Sequence, residues 1–418
     1  MKILIICDIF PPAFGPRMGY LCKYMKRAGW EPVVLTEYID DQTFAFLTGN
    51  ANAHYVKFFH ATGKIVGKLE WVFILLLDFL FHYKDKKMLK EASRLLENGE
   101  YAGILCSTYR TFPLPAAVQA AKKFNLPVIA DLRDIIEQYA NNEFIAHSFH
   151  TVSWLDKLIT ATFRRRLLKD RNLALSKVDY ITTVSPWHTQ ILSKYTSKVE
   201  LIYNGYDPEI FYPEQFTTPR FLITYTGRLL SLATRDPQLL FEAIAQLDRE
   251  KEISPETFRI QWFIDKESQD IIEKEVEKYK IESYMDFHKY IPASEIPGIL
   301  NRSSILLQLA NKSTQSGPKG YMTTKLFEAF AVEKPVLCVR SDEGCLEETI
   351  NRTHTGLSAR NTEEVYLFLG HHYREWKEKG YTRINVNKEE INCFSRQAQA
   401  KQFMELFTKL YKNKQTHG

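Results

Sequence analysis

A chain of 418 residues exceeds one ordinary hydrophobic core, and two domains of roughly 200 residues each are expected. With 45% apolar and 25% charged residues the composition is globular, which excludes a disordered or fibrous chain. Residues 1–210 hold 26 Lys+Arg against 21 Asp+Glu and residues 211–418 hold 29 of each, so the formal excess of +5 lies in the N-terminal half: too little for a general nucleic-acid binder, enough for a local anionic partner.

The first half opens on Lys2–Cys7 (KILIIC), read as a buried strand, since no basic stretch precedes it and no small-residue cleavage site follows. Pro32–Thr36, Gly103–Cys106, Pro127–Ala130, Tyr180–Val184 and Val199–Tyr203 are the further strands. Each is a continuous apolar run, as expected of a parallel sheet covered on both faces. Helical stretches such as Tyr20–Ala28 and Pro115–Phe124 fall between them, giving the order of a doubly wound α/β domain. Trp71–Phe81 (WVFILLLDFLF) is the strongest apolar run, too short to span a bilayer and interrupted by Asp78. Two readings stay open for it and for the basic group Phe163–Arg171: a core helix with a solvated basic face, or a peripheral membrane contact through residues 71–87 and 163–171.

The stretch Tyr206–Arg220 carries three prolines and no periodicity, which marks a linker. A second strand series follows at Phe221–Tyr225, Arg259–Ile264, Tyr284–Phe287, Ile305–Leu309 and Pro335–Val339. Its helices are Pro237–Leu247, Gln269–Tyr279, Ser294–Asn301 and Thr324–Ala331. The expected architecture is α/β: two Rossmann-like domains, 1–210 and 211–395, facing each other across a cleft, with a C-terminal helix in 396–418 returning to the first. Six cysteines at scattered positions, without a C-x-x-C pair, read as buried thiols in a reducing compartment, hence cytoplasmic. His371-His372 in a charged helix reads as solvated, and His147 and His150 as candidates to reach the cleft.

Four short motifs carry chemistry. After the first strand, Phe10-Pro-Pro-Ala-Phe-Gly15-Pro-Arg17-Met-Gly19 is a small-residue loop that lets backbone N–H groups approach a phosphate or sugar. It lacks the G-x-G-x-x-G pattern of a nicotinamide cofactor site. Asn204-Gly205-Tyr-Asp207 is a turn at the hinge. Gly227-Arg228-Leu ends the first strand of the second half, and Arg235 follows at the start of a helix; two guanidiniums beside a helix N-terminus suit a diphosphate. Lys325 and Glu328 share a helix face, where the carboxylate can accept from a ribose.

In this order, and with Asp131-Leu-Arg133-Asp134 between the first two, these motifs resemble the family 4 glycosyltransferases over almost the whole chain. The D-x-R-D run is similar to members that build bacterial surface polysaccharides. The resemblance implies the GT-B fold and transfer of a sugar, with retention, from a nucleoside diphosphate donor to an acceptor hydroxyl. It places Arg228 and Arg235 on the pyrophosphate, Glu328 on the ribose, and Gly15 with Arg17 at the close approach of the first domain. Gly227, Lys319, Thr323 and Lys325 complete the donor set, and Asp131, Arg133 and Asp134 form the catalytic set. No cofactor and no metal are expected, since no D-x-D triplet occurs; uracil is the expected base, by family frequency. The acceptor would be a glycan or a polyprenyl-diphosphate-linked sugar, with the protein cytoplasmic or peripheral on the inner membrane face. Departures from the family pattern are Gly320 in place of the first of two glutamates, Arg133 in place of a histidine, and Asp265 in place of a glycine. Rivals are a sugar-nucleotide 2-epimerase and a degenerate GT-B protein that binds without turnover.

Overall fold

The computed structural model describes residues 1–138, 153–289, 291–311 and 320–417. His147, His150 and Lys319 lie outside the described residues. In the first part of the chain Ile3 to Cys7 are fully buried, because β1 (Lys2–Cys7) is an interior strand of a parallel sheet with helices on both faces. The chain continues through α1 (Pro16–Arg27), β2 (Glu31–Glu37), β3 (Asn52–Val56), α2 (Lys64–Phe81), α3 (Tyr83–Glu97), β4 (Ile104–Thr108), α4 (Leu114–Lys123) and β5 (Val128–Leu132). It then runs through α5 (Ser153–Leu175), β6 (Tyr180–Thr183), α6 (Pro186–Leu192) and β7 (Val199–Leu201). The seven strands stand in the order β3-β2-β1-β4-β5-β6-β7. The order reverses between β1 and β4, so their carboxyl ends flank a topological switch point, where open α/β sheets bind ligands.

The second series is β8 (Phe221–Thr226), α7 (Gln238–Arg249), β9 (Phe258–Phe263), α8 (Lys266–Glu277), β10 (Met285–His288), α9 (Ile296–Arg302), β11 (Ile305–Leu309), α10 (Thr324–Ala331) and β12 (Val336–Val339). It closes with α11 (Cys345–Thr353), β13 (Gly356–Ala359), α12 (Thr362–Lys379) and α13 (Lys388–Asn392). Its sheet runs β10-β9-β8-β11-β12-β13, all parallel, with the switch point between β8 and β11. The core packs Trp262, Phe241, Phe221 and Phe258 of this sheet and α7 against Tyr373 and Trp376 of α12. The last helix, α14 (Arg396–His417), lays Phe403 and Phe407 into the core of the first sheet, beside Met18, Cys22 and Trp30.

The chain divides into Met1–Tyr203 with Arg396–Gly418, and Asn204–Ser395. The cut falls after Tyr203 rather than at 210, because the proline-rich stretch is strapped to the second unit. Tyr206 N–H donates to Phe394 O at 3.2 Å, Phe211 is buried, and Asn301 Oδ1 accepts from Glu214 N–H at 2.8 Å. Two strands escape the sequence reading, β3 and β13. Among the cysteines, Cys7, Cys22, Cys106 and Cys338 are buried as expected, whereas Cys345 is half-buried and Cys393 exposed.

Candidate active site

In the first unit, strand register alone assembles a polar cluster. The pairing of β4, β5 and β6 sets Ser107 beside Asp131 and Asp131 beside Thr182. Both hydroxyls donate to the Asp131 carboxylate at 2.8 Å. Arg17, from the first turn of α1, donates to both carboxylate oxygens at 3.0 and 2.8 Å, and spends further N–H groups on Tyr203 O at 2.8 Å and Ile202 O at 2.9 Å. Asp131 is 0% and Arg17 5% exposed. Burial would raise the Asp131 pKa, but the Arg17 guanidinium and the two hydroxyls outweigh it and hold the carboxyl below its ordinary range. This pair is a buried tie between α1 and the end of the sheet. The structure thus places Asp131, expected in the catalytic set, and Arg17, expected in the donor set, in one buried ion pair whose other hydrogen bonds go to Ser107, Thr182 and the carbonyls of Ile202 and Tyr203.

The neighbouring residues of the D-x-R-D run are placed differently. Arg133 binds Asp8, which follows β1 and also accepts Tyr109 N–H at 2.9 Å. The ends of β1, β4 and β5 thus converge on one ion pair at the switch point. The Nε atoms of Arg133 and of Arg110, after β4, are both buried without a hydrogen-bond partner among the described residues. Asp134 is half-buried, and burial pushes its pKa up to about 6 against the opposing pull of Arg133 and a hydrogen bond from Gln138. Gln138 is itself fixed: its Oε1 lies 2.7 Å from His188 Nε2, and His188 Nδ1 lies 3.2 Å from Thr183 Oγ1. Burial drives the His188 pKa down to about 4, so the ring is neutral and holds the amide in place. A carboxyl that titrates near neutrality beside a fixed guanidinium can exchange a proton with a hydroxyl. Asp8, Arg110, Gln138 and His188 were missed in the sequence, where nothing joins them locally. Gly15 is explained by its own loop: a Cβ there would stand 2.8 Å from Phe10 Cα and 3.0 Å from Ile9 O, so the backbone it approaches is the chain's own.

In the second unit the switch point gathers cations. β8 is followed by Gly227, whose φ of +102° lies in the region that favours glycine. A Cβ at this position would fall 1.8 Å from Lys325 Nζ, and that ammonium, reaching over from α10, donates to Thr226 O. Burial and the nearby Arg235 push the Lys325 pKa down to about 8, against the charge of Glu328 one turn further along α10. Arg235 donates to Arg228 O and to Tyr321 Oη, the latter at 2.8 Å. The Arg228 side chain is 78% exposed and pairs with Asp265 at 3.2 Å. Asp265 caps α8 by accepting Ser268 N–H at 2.9 Å, and Ser268 Oγ accepts Leu229 N–H at 2.9 Å. The residue that departs from the family's glycine is thus a helix cap and a guanidinium partner. Thr323 stands at the N-cap of α10 without a side-chain cap bond. At the end of β11, Asn311 donates to Leu232 O at 2.8 Å, while its buried Oδ1 has no partner among the described residues.

Gly227, Arg228, Arg235, Thr323, Lys325 and Glu328 therefore lie on the loops and helix around one strand edge. Three cationic side chains and a helix N-terminus in that position fit an anionic group with several oxygens. Outside these edges, one grouping among the described residues has metal-ligating atoms close together: His371, His372 and Glu375 on α12. The expectation of a solvated histidine pair holds for His371 alone; His372 is buried, its Nδ1 lies 3.2 Å from Glu375, and burial lowers its pKa to about 4.

No protein-family profile and no curated relative matches the sequence. Solved structures do match over nearly the full length. The HepE protein of Anabaena, in complex with UDP, superposes with a TM-score of 0.62 at 14% identity, covering 98% of this chain and 100% of its own. The sucrose-phosphate synthase of Thermosynechococcus elongatus gives 0.63 at 16% identity, covering 99% and 100%. The lipopolysaccharide outer core galactosyltransferase WaaB gives 0.56 at 14% identity, covering 98% and 100%. HepE has also been solved with UDP and glucose and with UDP-glucose. The fold is GT-B, with two Rossmann-like units.

Proposed function

We propose that this GT-B chain is a glycosyltransferase that moves a sugar from a nucleoside diphosphate donor to an acceptor hydroxyl, with retention at the anomeric carbon. The observation that carries the reading is the cationic cluster of Arg228, Arg235 and Lys325 around Gly227, at the switch point of the second unit. The solved UDP complexes of HepE support a uridine donor. Surface polysaccharide or glycolipid synthesis, with a glycan or polyprenyl-diphosphate-linked acceptor, is supported by the D-x-R-D run and by the likeness to WaaB.

In this mechanism the diphosphate sits on Arg228, Arg235, Lys325 and the N-terminus of α10, while Glu328 takes the ribose hydroxyls. The bond between the anomeric carbon and the diphosphate oxygen breaks with both electrons leaving on the phosphate. The cations gathered at this edge stabilise the developing charge, and the reading therefore calls on no metal. The acceptor oxygen attacks from the same face and forms the new bond to carbon. Its proton passes to the departing phosphate. Asp134, titrating near neutrality, serves as the alternative base, and Arg133 and Asp8 fix its surroundings. Asp131 positions this edge and does not touch the reacting atoms.

The test is calorimetric titration of wild type and Arg228→Ala with UDP, GDP, CMP and NAD, with EDTA and without added metal. UDP should bind wild type alone among the four, and Arg228→Ala should lose roughly 10- to 150-fold, the worth of a charge-assisted contact of about 1.5–3 kcal/mol. Equal affinity of the two proteins would discard the phosphate assignment. The rival reading, binding without turnover, rests on Gly320 where a carboxylate is usual; sugar transfer from UDP-sugar to any acceptor removes it.

A further inference from the structure

Helix α2 carries its polarity inside out. Its two acids turn back onto the protein: the Glu70 carboxylate accepts His60 N–H at 2.9 Å and Ala61 N–H at 2.8 Å, and Asp78 accepts Lys84 N–H at 2.8 Å. Its large apolar residues face out. Ile65, Leu69, Val72, Phe73, Leu76 and Leu80 recur at helical spacing along one stripe, and each is between 45% and 77% exposed. Ile74 alone is buried, and Phe79 packs on Phe163 of α5 with ring centroids 4.6 Å apart. The first turns of α5 add exposed Trp154 and Leu158. Lys64 and Lys68 at the start of α2, and Arg165 and Lys169 of α5, are exposed as well.

A helix at a domain surface normally shows the opposite pattern, and a stripe about 22 Å long is not a stray exposed leucine. A protein partner would need hydrogen-bonding groups, about one per 100–200 Å² of interface, and Leu69 to Leu80 offers none on its outward stripe. Cations bracket the apolar face instead. No helix among the described residues is long and apolar enough to cross a membrane. We propose that α2 is an interfacial anchor, laying Leu69, Phe73, Leu76 and Leu80 into the headgroup boundary of an anionic lipid bilayer while Lys64, Lys68, Arg165 and Lys169 meet the headgroup charge. The proposal takes the second of the two readings of the apolar run, and it stands apart from the glycosyl-transfer reading, on which it does not depend.

Flotation with unilamellar vesicles of phosphatidylcholine, and of an equal mixture with phosphatidylglycerol, tests it at low salt. Wild type should float with the anionic vesicles. Leu69→Asp/Leu76→Asp should weaken partitioning by about 100-fold, about tenfold per lost leucine. Lys64→Glu/Lys68→Glu should erase the preference for anionic over neutral vesicles. Phe73→Trp should shift its emission to the blue only when anionic vesicles are added. The substituted side chains are exposed, so melting temperatures and UDP titrations of the variants should match wild type, and loss of UDP binding would be a separate failure of the donor site. Absence of wild-type flotation overturns the proposal. So does a wild-type dimer in light scattering that Leu69→Asp/Leu76→Asp converts to monomer, because the stripe would then be covered by a second copy.

Discussion

Replacing Asp131 by asparagine separates a structural from a catalytic carboxylate. Every group around it is a donor: Arg17 through two N–H groups, Ser107 and Thr182 through their hydroxyls. Asparagine removes the charge and turns one acceptor into a donor facing donors, leaving Arg17 charged in a site where it is 5% exposed. Breaking one side of a buried pair costs about 3–5 kcal/mol. In a domain of this size each kcal/mol shifts the melting temperature by about 2–4 °C, so a fall of about 6–20 °C is expected by differential scanning calorimetry. The double variant Arg17→Ala/Asp131→Ala should cost less than the sum of its singles, since each single strands the other charge. Acid should act in the same direction. The folded carboxyl lies below its unfolded value, so its contribution is complete above about pH 4 and is lost as pH falls through the folded pKa. Asp131→Asn should therefore flatten the acid limb of the stability profile. A variant that melts within about 2 °C of wild type yet loses turnover would refute the structural assignment.

Other outcomes follow from the cationic edge and from Asp134. Gly227→Ala puts a methyl where Lys325 Nζ lies and strains a backbone at φ +102°; a stability loss above about 1 kcal/mol and a weaker UDP titration are expected. UDP affinity should fall as pH rises through about 8, where free Lys325 loses its proton, and Lys325→Arg should move that fall to higher pH; a profile flat from pH 7 to 10 would remove Lys325 from the diphosphate. If Asp134 takes the acceptor proton, kcat/KM should rise through about pH 6 and the limb should vanish in Asp134→Asn while persisting in Arg228→Ala.

The continuous apolar runs announce both parallel sheets, because strands covered on two faces need no polar alternation. β3 is overlooked for the opposite reason: Asn52 to Val56 is an edge strand, half-exposed and partly polar. β13 (GLSA) is too short and too small-sided to stand out. At the candidate site, the neighbourhood of Arg228 and Arg235 is local in sequence and legible. The meeting of Lys325 with Gly227 is created by the fold and is invisible beforehand. A motif names residue types, whereas the burial of Asp131 is decided by strand register: the pairing of β4, β5 and β6 brings Ser107 and Thr182 onto its carboxylate. Composition alone leaves α2 open between two readings, since hydrophobicity does not say which way a face points. Its acids are drawn inward by the backbone N–H groups of the chain before and after it.

The placement of α14 bears on the order in which the protein is made. Ribosomes deliver Ile3, Met18 and Cys22 before the second unit, but the aromatic rings that cover them, Phe403 and Phe407, are synthesised only after it. Gly103 keeps its Cβ position clear for one of those rings, which would lie within 2.8 Å of it. The amino-terminal sheet must therefore wait, with an apolar flank uncovered, while all of Asn204–Ser395 is synthesised. Vectorial folding is thereby reordered: the middle of the polypeptide can finish before its beginning. Termination just after Ser395 would leave a chain whose second unit is whole and whose first is a substrate for chaperones and proteases.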